Sequence, residues 1–215
     1  MTVRFPDLNT WHRVNDWAAF ARAYPVAACR ATMGTAEVDD YFAPFLVGCQ
    51  RAGILPVAYH RLRPGQAIGG QVDHFLSLAG SQCAYALDVE TTKGAAREPT
   101  MSEANTFVDL LTQRTGRPRS HVLSYLPKWW YDANGAGARV LRDTTLWASR
   151  YTLPIDWSGY AGFSTVAIMQ FSQQWPIVGV GIGDMNEWRG SLDELKTLLG
   201  FKLDTADKQW IEARL

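Results

Sequence analysis

Asp88 and Glu90 stand two residues apart in the stretch ALDVETTKG (residues 86–94), where the apolar run Ala84–Leu87 gives way to small and polar residues. In an extended strand, residues i and i+2 point to the same side, with Cα atoms roughly 6.5–7 Å apart. Val89 then packs the other way. A carboxyl group partly desolvated beside a second carboxylate keeps its proton to higher pH, the state in which it can serve as a general acid near neutrality. The blander account is an acidic strand end that caps a neighbouring helix or pairs with Arg30.

Similar residues stand where other apolar runs end. Reading strand ends in chain order collects Asp7, then Arg30 and Thr32, then Tyr59 and His60, then Asp88 and Glu90, followed by Tyr125, Tyr151, Gln170 and Asp184. Four carboxylates in one cleft are hard to explain as structure, because clustered like charges destabilise it. Asp7, Asp88, Glu90 and Asp184 are therefore the catalytic candidates. Arg30, Tyr59, His60, Tyr125, Tyr151 and Gln170 are candidates for hydrogen bonding to a ligand. His60 could join Asp88 and Asp184 around a metal, but no HxH or HExxH spacing supports this, so no metal or cofactor is expected. Of the nine tryptophans, most suit core packing. Trp11, Trp129 and Trp130 follow strand ends and are assigned to the cleft surface, where an indole can stack on a pyranose ring.

The elements that must carry these residues alternate along the chain. Phe42, Phe45, Leu46 and Cys49 recur at helical spacing before Gly53, as do Val72, Phe75, Leu76 and Ala79 before Gly80. Ala104, Phe107, Val108 and Leu111 repeat the pattern before Gly116. These are amphipathic helices with glycine stops. Thr100 with Glu103, and Ser191 with Glu194, have capping-box spacing. An earlier helix is predicted over 15–24. Between the helices lie short apolar runs at 26–31, 54–59, 84–89 and 121–125, typical of parallel strands buried on both faces. After Tyr125 the rhythm changes: runs at 146–148, 166–171 and 177–182 read as strands joined without a helical period. About eight strands with helices chiefly in the first half indicate an α/β fold, a βα barrel whose site lies at the C-terminal strand ends. The rival open sheet lacks its glycine-rich phosphate-binding turn.

Composition excludes several classes. Lys plus Arg and Asp plus Glu are 21 each, with no basic stripe, which argues against a nucleic-acid partner. The three cysteines, Cys29, Cys49 and Cys83, are widely spaced in apolar surroundings and read as buried thiols. The N-terminal stretch MTVRFPDLNTWH lacks the apolar core of a signal peptide, and no segment is long enough to span a membrane. Synthesis in the cytoplasm is expected, and a monomer.

The ordered pieces PDLNTW, CRATMGTAEVDDYF, AGILPVAYH, ALDVE, HVLSYLPKWW, LWASRY, MQFS and VGIGDMNEWRG resemble glycoside hydrolase family 25, the Chalaropsis-type lysozymes or N-acetylmuramidases common in phage endolysins. The resemblance covers roughly residues 3–200. It implies a modified TIM-like barrel, five βα units followed by three strands with little helix, over 1–200, with 201–215 a tail or the start of a linker. It also implies hydrolysis of the β-1,4 bond from N-acetylmuramic acid to N-acetylglucosamine in peptidoglycan, after release to the cell wall, and a wall-binding module in a longer native chain. Glu90 matches the general acid, Asp88 its partner as stabiliser or nucleophile, and Asp7 and Asp184 the supporting acidic residues. Phe5-Pro6 stands where the family usually has Gly-Ile, and Met169 and Phe171 flank Gln170 where Trp and Tyr are usual. Two other readings stay open: a catalytically inactive glycan-binding barrel, and a metal-dependent hydrolase using Asp88, His60 and Asp184.

Overall fold

The structure, a computed structural model, describes residues 2–201. Its elements run β1 (Val3–Leu8), α1 (Trp17–Ala23), β2 (Val26–Met33), β3 (Glu37–Val38), α2 (Phe42–Ala52), β4 (Leu55–Arg61), α3 (Ile68–Ala79), β5 (Ala84–Asp88), α4 (Met101–Thr115), β6 (Val122–Pro127), α5 (Lys128–Asn134), β7 (Thr145–Ser149), β8 (Ile168–Ile177), β9 (Gly181–Trp188) and α6 (Leu192–Leu198). The sheet order is β1-β9-β8-β7-β6-β5-β4-β2-β3, and pairing of β1 with β2 closes eight of these strands into a barrel. Five βα units precede three strands without intervening α-helices, as the change of rhythm after Tyr125 implies. Of the predicted tail 201–215, residues 202–215 lie outside the described residues.

Helix boundaries follow their chemistry. Gly53 (φ 66°) and Gly116 (φ 69°) end α2 and α4 in the left-handed conformation that costs glycine little. Thr100 and Ser191 each accept from the backbone three residues on while Glu103 and Glu194 reach back, so both capping boxes form. Helix α1 starts at Asp16, whose side chain accepts from the Ala19 N–H, and buries Phe20. Helix α5 escapes a periodicity search because it is seven residues long and buries one residue, Trp130.

Alternation sorts each strand into two layers. Val3, Phe5, Val26, Ala28, Val57, Ala84, Ala86, Leu123, Trp147 and Ile168 fill the barrel interior, with Leu195 and Leu199 of the α6 region joining them. Leu8, Cys29, Ala58, Leu87 and Leu126 face the helix layer with Phe45, Phe75, Phe107 and Trp130. All three cysteines are buried free thiols.

The predicted strand at 177–182 is instead a hairpin turn: β8 ends at Ile177 and β9 begins at Gly181. In that run Ile177 is buried and Val180 packs on the core, while Val178 and Ile182 are exposed, and the turn abuts the chain just before α1. Gly179 accepts from the Asn15 N–H at 2.7 Å, and a Cβ on it would meet the Asp16 carbonyl oxygen at 2.5 Å. Strand β9 consequently runs antiparallel to both β8 and β1.

Candidate active site

The inward register that packs the barrel continues upward and delivers the polar residues. Phe5 leads to Asp7, Ala28 to Arg30, Val57 to Tyr59 and Arg61, and Ala86 to Asp88, with Glu90 just past the strand. These residues share one cleft with Asn9, Tyr125, Trp147, Tyr151, Gln170, Gln173 and Asp184. Asp184 reaches the mouth because β9 is reversed: a residue near its start, paired opposite Asp7, stands where the other strands end.

Of the ten candidates, all but His60 line this cleft. His60 has the opposite parity from Tyr59 and points into the helix layer. It is fully buried, its Nδ1 lies 2.7 Å from Thr32 Oγ1 and its Nε2 lies 3.0 Å from Gln71 Oε1, and its ring stacks on Phe107 at 4.9 Å. Burial lowers its pKa to about 4. It is a core histidine and not a ligand contact, and with both ring nitrogens engaged it cannot complete a metal set with Asp88 and Asp184. Trp130 is likewise buried, its Nε1 donating to Glu98 at 2.9 Å. Trp11 and Trp129 are exposed, at 82% and 54%.

A buried network fixes one wall. Asp7 Oδ2 accepts from Asn186 Nδ2 at 2.8 Å and from Gln170 Nε2 at 3.0 Å. Gln170 Oε1 accepts from the hydroxyls of Tyr125 (2.9 Å) and Tyr151 (2.8 Å), and Asn186 Oδ1 accepts from Trp147 Nε1 at 2.7 Å. Both amides therefore turn their NH2 groups toward Asp7.

The cations are unevenly shared. Arg30 is satisfied by Asp39, 2.8 Å from Nη2, so it does not pair with Asp88. Arg61 Nη1 lies 2.9 Å from Glu90 Oε1 and 3.9 Å from Asp88 Oδ2, while Asp88 Oδ1 is buried without a partner among the described residues. Among the described residues, Arg61 is thus the guanidinium in ion-pair contact with these carboxyl groups, and Arg30 adds a weaker pull on Asp88. Burial raises the pKa of Asp88 well above the usual range, with the Glu90 charge adding and Arg61 opposing. Burial also raises Glu90, with Arg61 opposing and Asp7 adding. Asp184 is pushed up to about 8 by burial, then by Asp7 and Glu90. Burial raises Asp7 against the pull of its Asn186 and Gln170 hydrogen bonds. Burial thus shifts all four groups in the same direction, toward holding their protons to higher pH than an ordinary carboxyl.

Sequence reading missed Arg61, Asn186, Trp147, Asn9 and Gln173. Arg61 was legible in principle, since it lies two residues beyond Tyr59 on the inward register. Asn186 was not, because its role depends on which strand closes the barrel.

A βα barrel whose mouth gathers buried carboxyls with raised pKa, phenols and amides is suited to acid–base cleavage of a polar, uncharged bond, the work of glycosidases. Comparison with known proteins agrees. The model of the family "Glycosyl hydrolases family 25" matches residues 6–180. Lysozyme M1 of Streptomyces globisporus is 27% identical over 89% of this chain and 69% of its own, and the autolytic lysozyme of Clostridium acetobutylicum is 27% identical over 76% of this chain and 48% of its own. The crystal structure of the bacterial lysozyme from Streptomyces coelicolor superposes with a TM-score of 0.81 at 23% identity, covering 93% of this chain and 98% of that one. The chain belongs to glycosyl hydrolase family 25 and is a glycoside hydrolase, in a family whose lysozymes hydrolyse peptidoglycan.

Proposed function

We propose that the chain is an N-acetylmuramidase, cleaving the β-1,4 bond from N-acetylmuramic acid to N-acetylglucosamine, with Glu90 as general acid, Asp88 as its partner, and Asp7 and Asp184 in support. The observation that carries this reading is the convergence of these four carboxyl groups on one cleft in which burial favours their protonated forms. Within the pair, the Glu90 side chain is 20% exposed and that of Asp88 is 7%, so Glu90 is the one a glycosidic oxygen can reach.

Glu90 gives its proton to the leaving oxygen as the bond to the anomeric carbon breaks. The 2-acetamido carbonyl oxygen of N-acetylmuramic acid bonds to that carbon, forming a positively charged oxazolinium. Asp88 faces this charge. Ionised Asp88 stabilises this charge without bonding to the anomeric carbon, whereas as a direct nucleophile it would form a glycosyl ester there. Water then adds at the anomeric carbon as the bond from that carbon to the acetamido oxygen breaks, its electrons returning to the neutral amide, and the water passes a proton back to Glu90, with net retention of configuration. Arg30, Tyr59, Tyr125, Tyr151 and Gln170 supply hydrogen bonds along the sugar. An inactive glycan-binding barrel would have no use for this costly cluster of carboxyls.

The test is digestion of purified peptidoglycan, borohydride reduction and mass analysis. Reduced muramic acid at new ends is expected. Reduced glucosamine would make the enzyme a glucosaminidase, and no new ends would sink the hydrolase assignment. We place the activity in phage-driven lysis, by a longer chain carrying a wall-binding module. Export in growing, unlysed cells would contradict that setting.

A further inference from the structure

Arg61 extends the inward register of Val57 and Tyr59 and brings its guanidinium against the acid pair. Nη1 contacts Glu90 Oε1 at 2.9 Å and stands 3.9 Å from Asp88 Oδ2, while Nη2 donates to the Thr91 carbonyl oxygen. One side chain thus grips both ends of the short segment that presents Glu90. That segment is anchored from behind. Thr91 Oγ1 donates to Glu98 at 3.0 and 3.1 Å, and the same carboxylate accepts from Nε1 of the buried Trp130 at 2.9 Å. Thr92 Oγ1 donates to the Leu62 carbonyl oxygen at 3.2 Å, tying the segment to the residue after Arg61.

We propose that Arg61 is a positioning residue for the acid: it holds the Glu90 carboxyl at the mouth and stabilises the negative charge that Glu90 acquires on giving up its proton. The inference rests on Glu90 being the acid. When the proton moves to the leaving oxygen and the glycosidic bond breaks, Glu90 passes from neutral to anionic while Arg61 stays charged throughout. Their attraction is therefore stronger after transfer than before, which lowers the barrier instead of binding both states alike. The other groups around Glu90 cannot replace it. Asp7 from β1 and Asp184 from β9 are carboxyl groups that bring either no charge or a like one, Asp88 belongs to the same pair, and Tyr125 from β6 brings a phenol. Arg30 is held by Asp39.

The test compares Arg61→Gln and Arg61→Lys on soluble, peptide-stripped glycan strands and on an aryl glycoside with a phenolic leaving group. The pH profile is recorded, and Glu90 is followed by carbon-13 NMR of labelled glutamate carboxyls. Arg61→Gln is expected to lower kcat on glycan strands about tenfold while sparing the aryl glycoside. Its alkaline limb and the Glu90 midpoint are expected to rise by about one pH unit. Arg61→Lys should restore the limb and most of the rate. A folded Arg61→Gln with unchanged rate, limb and midpoint overturns the proposal. If that variant does not fold, the guanidinium nitrogen resonances of Arg61 in the unaltered chain decide: they should titrate with Glu90, and indifference to it overturns the proposal. Failure of the unaltered chain to release reducing ends would instead sink the muramidase reading, while the resonances still report whether Arg61 holds Glu90.

Discussion

At Glu90, exchanging a carboxyl for a carboxamide isolates one proton. Glu90→Gln keeps size and polarity but cannot act as an acid, so kcat on wall glycan is expected to fall about 10²–10⁴-fold. An aryl glycoside, whose leaving group barely needs protonation, should lose much less. Asp88→Asn removes the charge facing the oxazolinium, so both substrates should suffer alike. Equal, small losses for the two variants would mean that the carboxyls only hold the strand end. Asp184 offers a stability measurement. Its pKa is about 8 in the folded chain against 3.8 for an ordinary aspartate, so between those values the folded state holds the extra proton. Its contribution is complete below 3.8 and is lost as pH rises through 8. The Tm of Asp184→Asn minus that of the unaltered chain should therefore grow more positive from pH 4 to 9. His60 works in the opposite sense, being stabilising above 6.5 and lost toward 4, but it is common to both proteins and cancels. A flat difference would place Asp184 in free contact with water.

Among the elements, α4 shows how much local chemistry settles. Its start is set by Thr100, which accepts from the Glu103 N–H at 3.1 Å while Glu103 Oε2 accepts from the Thr100 N–H at 2.9 Å. Thr100→Ala loses the side-chain half of this box and is expected to destabilise the chain by about 1 kcal/mol, read as a lower denaturant midpoint with unchanged slope. An unshifted midpoint would mean that tertiary packing alone holds the helix start. The legible elements, α2 to α4, combine helical spacing with a glycine stop. The illegible ones are short or misleading: α5 has one buried residue, and the apolar 177–182 run contains a turn whose Gly179 carbonyl accepts from the Asn15 and Asp16 N–H groups just before α1. In that run Val178 and Ile182 are exposed, so apolar composition alone does not tell strand from turn.

For the whole molecule, closure is the decisive event. Asn186 on β9 donates to the Phe5 carbonyl oxygen at 3.1 Å and to Asp7 at 2.8 Å, joining the first strand to the last across 181 and 179 residues of chain. Asn186→Leu leaves Asp7 with fewer donors and the Trp147 Nε1–H buried without its acceptor. Stability is expected to fall by about 2–3 kcal/mol in denaturant unfolding, with activity reduced in the surviving folded fraction. Stability equal to that of the unaltered chain would show that backbone pairing alone closes the barrel. By itself the sequence determined the alternation of strands and helices, the caps, the change of rhythm after Tyr125, and the same-side placement of Asp88 and Glu90. All of these are periodicities of neighbouring residues, which the backbone geometry of one element enforces. Only the tertiary structure decided that β9 runs backwards so that Asp184 meets Asp7, that His60 is taken up by Thr32, Gln71 and Phe107 in the helix layer, and that Asn186 fixes the wall beside Asp7. Each depends on which strand pairs with which and in what register, and that is settled when distant segments bury their apolar faces together.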